Sequence, residues 1–325
     1  MKRTLKLLLS LGLVTMAGDA PGLDLAKAAL PGANGPILFS RDVARGEGFN
    51  YEIFRARNDG TRAKRLTFSK AWDRNPAWSP NGSRIIFHRA IRDTSGIWIM
   101  KADGSNKRPI DAARFGGNPA WSPDGKSIAF SKGPGVYTLD LTDSNAEAVS
   151  VVEYTDGGEA TFWGVAWSPN GERIAYAVER DTESYVGVVD ADEGNDERWE
   201  LSYFISGIDW SPSGKRLVTA MYDARPRDEK EVSGWEIYTL APGAADPPKS
   251  VRRITMNGYN DEKNRGEENE PVWSPNGKKI MFSNDFGRRD DELVTVNADF
   301  RKKPRPRVLT NNKIDEASPS WLAGP

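Results

Sequence analysis

The chain contains no cysteine and one histidine in 325 residues. The first absence removes disulfides, thiolate metal ligands and thiol nucleophiles. The second leaves His88 as the sole imidazole, too few for a metal lyase that binds through several histidines. His88 follows Phe87 in an apolar run with no acid at a telling spacing, so it reads as a strand residue and not a general base. No G-x-S-x-G elbow is present, and no hydrolase domain is expected beside the repeats described below. Nor is there a surplus of charge. Forty-five basic and 46 acidic residues leave a formal net charge of −1, which offers no field to recruit nucleic acid or an anionic membrane. Beyond the N-terminus no apolar run reaches the roughly 18 residues that a membrane span needs.

The N-terminus itself reads as export. Lys2, Arg3 and Lys6 precede the apolar stretch from Leu7 to Ala17, and small residues follow. Residues 1–28 are therefore expected to be a signal peptide, cleaved after Ala20 or Ala28. Residues 29–34 then form a linker and 35–325 the folded unit. The expected location is periplasmic or secreted.

What the chain does have is a phrase that returns six times. NPAWSPNG begins at Asn75, NPAWSPDG at Asn118, GVAWSPNG at Gly164, GIDWSPSG at Gly207 and EPVWSPNG at Glu270, and a truncated SPSWLAGP ends the chain. The repeat tryptophans are Trp78, Trp121, Trp167, Trp210, Trp273 and Trp321, about 43–63 residues apart. That period with strand-like content is the mark of a propeller blade.

Within one unit, NPAWS is a short strand and SPNG the turn after it. RIIFHRA and GIWIMKADG are a second and third strand, and KRPID a polar outer one. The first unit lacks its tryptophan strand and the last has nothing else. The fold class is therefore all-β: a six-bladed β-propeller of four-stranded antiparallel blades. The strand from Ala317 to Leu322 should close it by pairing beside Ile37 to Phe39 of the N-terminal blade. The recurring tryptophans are expected to be wedges between blades.

These residues, W-S-P-[ND]-G followed by an apolar-Phe-Ser strand, IWIMKADG and an outer R-L-T strand, resemble the TolB-type propeller repeat from about Gly35 to Trp321. Members with a separate α/β domain carry it ahead of the ring; here the resemblance is to a stand-alone propeller. It implies an envelope protein that binds a partner at one face of the ring, a peptidoglycan-associated lipoprotein being the partner of the family.

Two inserted stretches, Tyr222 to Gly234 and Asn257 to Asn269, account for the longest spacing. Both belong to connections that emerge on one face, and such insertions mark the binding side of a repeat array. The residues before each first strand open onto that face. They are Asp73, Arg74 and Asn75; Gly117 and Asn118; Trp163; Ser206; Glu268, Asn269 and Glu270; Asp315, Glu316 and Ser318. Carboxylates dominate this mouth and favour a cation or basic segment, while Trp163 and Tyr259 offer aromatic anchors. The expected function is a non-catalytic, monomeric scaffold for an envelope protein or peptide. The alternative is a glycan-binding or carbohydrate-active propeller that uses Glu268, Glu270 and Asp315. No organic cofactor is expected; a channel-bound cation such as calcium fits the carboxylate mouth. The acidic run from Asp190 to Glu197 occupies the slot of the KADGS turn and reads as a solvated turn, not a calcium loop.

Overall fold

A computed structural model describes residues 33–44, 49–91, 95–181, 183–192, 194–201, 204–223, 234–255, 268–285, 290–299, 306–312 and 314–324. The expected signal segment and nearly all of both inserted stretches, Tyr259 included, lie outside them.

The strands fall into six four-stranded sheets. The first blade holds β1 (Asn34–Asp42), β2 (Tyr51–Ala56) and β3 (Lys64–Arg65). The second is β4 (Trp72–Trp78), β5 (Arg84–Ala90), β6 (Gly96–Lys101) and β7 (Arg108–Arg114). The third is β8 (Gly116–Trp121), β9 (Ser127–Lys132), β10 (Gly135–Asp140) and β11 (Val149–Glu153). The fourth is β12 (Ala160–Trp167), β13 (Arg173–Arg180), β14 (Glu183–Asp190) and β15 (Asp196–Leu201). The fifth is β16 (Phe204–Trp210), β17 (Leu217–Asp223), β18 (Gly234–Leu240) and β19 (Arg252–Arg253). The sixth is β20 (Glu268–Trp273), β21 (Lys279–Asn284), β22 (Glu292–Asn297) and β23 (Arg307–Val308). Finally β24 (Glu316–Ala323) joins the first blade, pairing antiparallel with β1 so that Ile37 faces Trp321 and Leu38 faces Ser320. The ring is closed as the incomplete end units require. Its first strand begins at Asn34, the last residue of the expected linker.

Each SP-x-G turn is held by its serine. Ser79 Oγ accepts the Arg84 N–H at 2.9 Å and donates to Asn81 Oδ1 at 2.9 Å. Gly82 sits at φ +68°, a left-handed conformation that a side chain would strain. Ser122, Ser168, Ser211 and Ser274 accept the equivalent N–H bonds in the next four blades.

The core is six apolar layers, one between each pair of neighbouring blades. Leu38 and Ile53 pack on Trp78, Ile85 and Phe87, for example, and Ile37 and Phe39 on Met281 and Leu293 across the closing seam. Trp78, Trp121, Trp210 and Trp273 are buried in these layers, as wedges should be. Truncating any of them to alanine should cost about 3–5 kcal/mol. Among the described residues no helix is long and apolar enough to cross a membrane.

Candidate functional site: the ring mouth and central channel

Inner strands β4, β8, β12, β16, β20 and β24 all run from one face of the ring, the mouth, toward the SP-x-G turns. Each carries a register shift at mid-strand. In four of them a non-glycine residue before proline adopts a left-handed backbone: Asn75, Asn118, Glu270 and Ser318, at φ 48–52°. Such conformations cost energy for non-glycine residues and recur at functional sites. In β12 the unpaired residue is Trp163, between Phe162 and Gly164. These bulges line a central channel of about 240 Å³ that runs from Asn75, Asn118, Trp163 and Glu270 to Pro80, Pro169 and Ala323.

The ten sequence-selected residues therefore divide. Asn75, Asn118, Trp163 and Glu270 meet in the channel wall. Asn118 donates from Nδ2 to the Phe162 carbonyl at 2.8 Å, linking the third and fourth blades. Glu270 accepts the Ser318 N–H and, at 3.1 Å, its hydroxyl, so both carboxylate oxygens serve the contact between β20 and β24. Asp73 and Glu316 are fully buried and bound within their own blades. Asp73 receives Arg89 in a two-pronged pair at 2.6 and 2.7 Å. Glu316 holds Arg41 and, at 2.8 Å, Asn312, while burial raises its carboxyl above the usual range. Asp315 accepts the Asp291 N–H at 3.2 Å. Burial raises its carboxyl, with Asp42 and Asp290 adding to the rise and Arg74 opposing it. Arg74 lies over the Tyr51 ring at 4.3 Å. Burial pushes that phenol up to about 12 against the pull of Arg74. Tyr259 and the side chain of Glu268 lie outside the described residues.

The charge at the mouth is thus partly internal. Four carboxylates with almost no exposure (Glu52, Asp73, Glu236 and Glu316) each pair with an arginine. Glu52, Glu236 and Glu292 open third strands and reach connections on the mouth side: Glu52 accepts the Ser69 N–H, Glu292 the Asn312 N–H at 2.8 Å, and Glu236 the Thr255 hydroxyl. The sequence reading did not single these three out. Their signal was an acid before the apolar core of a third strand whose outer strand reads Arg-Leu-Thr, Arg-Ile-Thr or Val-Leu-Thr.

Aromatic side chains rim the same face. Among the described residues ten large hydrophobic side chains are exposed. Strand direction puts eight of them on the mouth: Phe49, Phe68, Trp72, Ile91, Phe115, Trp163, Phe204 and Ile314. Several are held by their neighbours. Trp72 Nε1 donates to the Phe49 carbonyl at 2.8 Å, and its ring meets Tyr51 edge-on at 6.5 Å. Phe204 packs on Tyr222 and Tyr222 on Trp235 at 6.4 and 5.9 Å. Trp163 Nε1 reaches Glu179 at 3.2 Å.

The His88 Nε2 lies 3.0 Å from Ser95 Oγ, and burial followed by the Arg74 charge lowers its basicity. Among the described residues no three histidine or carboxylate side chains are grouped to hold a metal.

No family model and no curated protein matches the chain. Solved structures do. TolB from Acinetobacter baumannii is 20% identical with a TM-score of 0.66, over 89% of this chain and 66% of that one. A protein designated TolB from Agrobacterium tumefaciens is 16% identical with a TM-score of 0.60, over 90% and 100%. An oligogalacturonate lyase in complex with manganese is 12% identical with a TM-score of 0.54, over 86% and 74%. The TolB structures and a lyase thus share the architecture, and the ring alone does not choose a function. The fold of this chain is that of a TolB-like six-bladed propeller.

Proposed function

We propose that the chain is an exported, non-catalytic scaffold that docks a protein or peptide partner of the cell envelope on the mouth face. The observation that carries this reading is the one-sided distribution of exposed apolar side chains. Among the described residues eight of ten lie on the mouth face and none on the SP-x-G turns. Concentrated aromatic exposure of this kind marks interaction surfaces, and rigid aromatic anchors dominate their energetics. The buried ion pairs beneath the face hold its connections in place, so docking there needs little reordering. Export rests on the N-terminal segment, and a peptidoglycan-associated lipoprotein is the partner that the resemblance suggests.

A photo-crosslinking residue placed at Trp163 or Phe204 tests the assignment against one placed at Asn81 or Asn276 on the turn face. Crosslinks to one defined envelope protein from the mouth positions alone are the expected result. Crosslinks from the turn positions alone would overturn it.

A further inference from the structure

The repeat breaks its own rule once inside the channel. The residue before each blade tryptophan is Ala77, Ala120, Ala166, Val272 or Ser320, but in the fifth blade it is Asp209. Asp209 lines both the central channel and a neighbouring lobe of about 140 Å³ toward the turns. One oxygen accepts the Trp210 N–H at 2.9 Å and the other the Trp273 N–H of the next blade at 2.7 Å. Asp209 is half-buried as a residue. Dehydration pushes its carboxyl up to about 7 although both amides oppose the rise. Among the described residues no ion pair includes it. The inter-blade link alone does not call for a carboxyl, since a neutral acceptor would make it without the dehydration cost. A carboxylate has about four lone-pair sites, and the amides occupy two.

We propose that the turn-side half of the channel binds a small organic ammonium ion, its N–H groups donating to Asp209 and its hydrocarbon lying among the tryptophan and proline rings. Trp210, Trp273, Trp321, Pro212 and Pro275 line the lobe around Asp209. Such walls suit a hydrocarbon, and aromatic rings favour a cation. A hard metal does not fit. Calcium takes six to eight oxygens, whereas the side-chain oxygens that line the lobe are those of Asp209 and Ser320. The site is separate from the docking face, and neither reading depends on the other.

Benzylammonium is a suitable probe, with benzyl alcohol as its neutral counterpart and N-acetyl-lysine methylamide to represent a peptide-borne ammonium. Calorimetry on the full chain should show saturable benzylammonium binding about tenfold tighter at pH 8 than at pH 6, as Asp209 ionises near 7. At pH 6 binding should release close to one proton, read from buffers of different ionisation enthalpy. Asp209→Ala restores the alanine that three blades already carry, and should abolish binding while crosslinking at the mouth persists. Should that variant misfold, Ser320→Phe fills the lobe and leaves the carboxyl intact, and it should block binding too. Tighter binding of the lysine amide than of benzylammonium would assign the site to a peptide side chain and overturn the small-ligand assignment. Equal binding of benzyl alcohol, tighter binding of calcium, no saturation at tens of millimolar, or full affinity in both variants would overturn the proposal.

Discussion

Glu270 and Ser318 sit in equivalent slots of adjacent inner strands, and the carboxylate of one accepts both the N–H and the hydroxyl of the other. This contact joins the last complete blade to the strand that closes the ring. Both residues hold left-handed backbones before proline, a conformation whose cost a charge-assisted pair of hydrogen bonds helps to offset.

Removing residues 319–325 should open the ring at this point. Trp321 and Ser320 would leave Ile37 and Leu38, and that stretch of β1 would become an unpaired edge. A large fall in melting temperature with self-association by size-exclusion chromatography is expected. A truncated chain that melts with the full-length one would contradict the closure.

The buried pair of Asp73 and Arg89 should be a structural support of the mouth. Asp73→Ala or Arg89→Ala leaves one charge buried without its partner, at about 3–5 kcal/mol each. The double variant should cost much less than the two together, because no lone charge remains. Urea denaturation of the four proteins gives the coupling directly, and additive losses would show that the ion pair is not what links these positions.

The architecture was legible because the repeat carries it. Five W-S-P-x-G phrases and a sixth, truncated tryptophan strand, with complementary gaps at the two ends, force both the blade count and the closure. The mouth was legible in position but less so in chemistry. Asp73 and Glu316 read as free carboxylates since their arginines stand 16 and 275 positions away, and nothing local marks the pairing. Glu52, Glu236 and Glu292 look solvent-facing in an alternating strand, whereas radial packing buries both faces. Asp209 was visible as a departure from alanine. Its meaning depends on the channel that only the closed ring creates.

Asp209 also gives stability a pH dependence of defined sign. Its carboxyl titrates near 7 in the fold against 3.8 ordinarily, so between these values the native state holds a proton that the unfolded chain has lost. Its contribution to stability therefore falls as pH rises from about 4 to about 7 and is level above that. Between pH 5 and pH 8 the loss amounts to about 2–3 kcal/mol. In Asp209→Ala this part of the slope should vanish, as measured by urea midpoints at the two pH values. An unchanged slope would mean that Asp209 titrates normally.

Trp163 should separate docking from folding. It occupies a bulge, 45% exposed, and contributes no wedge to the layers between blades, so Trp163→Ala should leave the melting temperature within a degree or two. If it anchors the partner, its loss should cost about 2 kcal/mol of binding, roughly a thirtyfold change. The change should fall on dissociation, because encounter depends on longer-range charge and not on a packed ring. Reversing Asp315 to lysine should do the opposite. That carboxylate stands among Asp42 and Asp290 at the mouth, and its reversal should slow association of a basic partner, most clearly at low ionic strength. Both rates are read from surface-immobilised partner once crosslinking has supplied it. If both variants bind with unaltered kinetics, the mouth is not the interface, and the turn face is left as the surface to search.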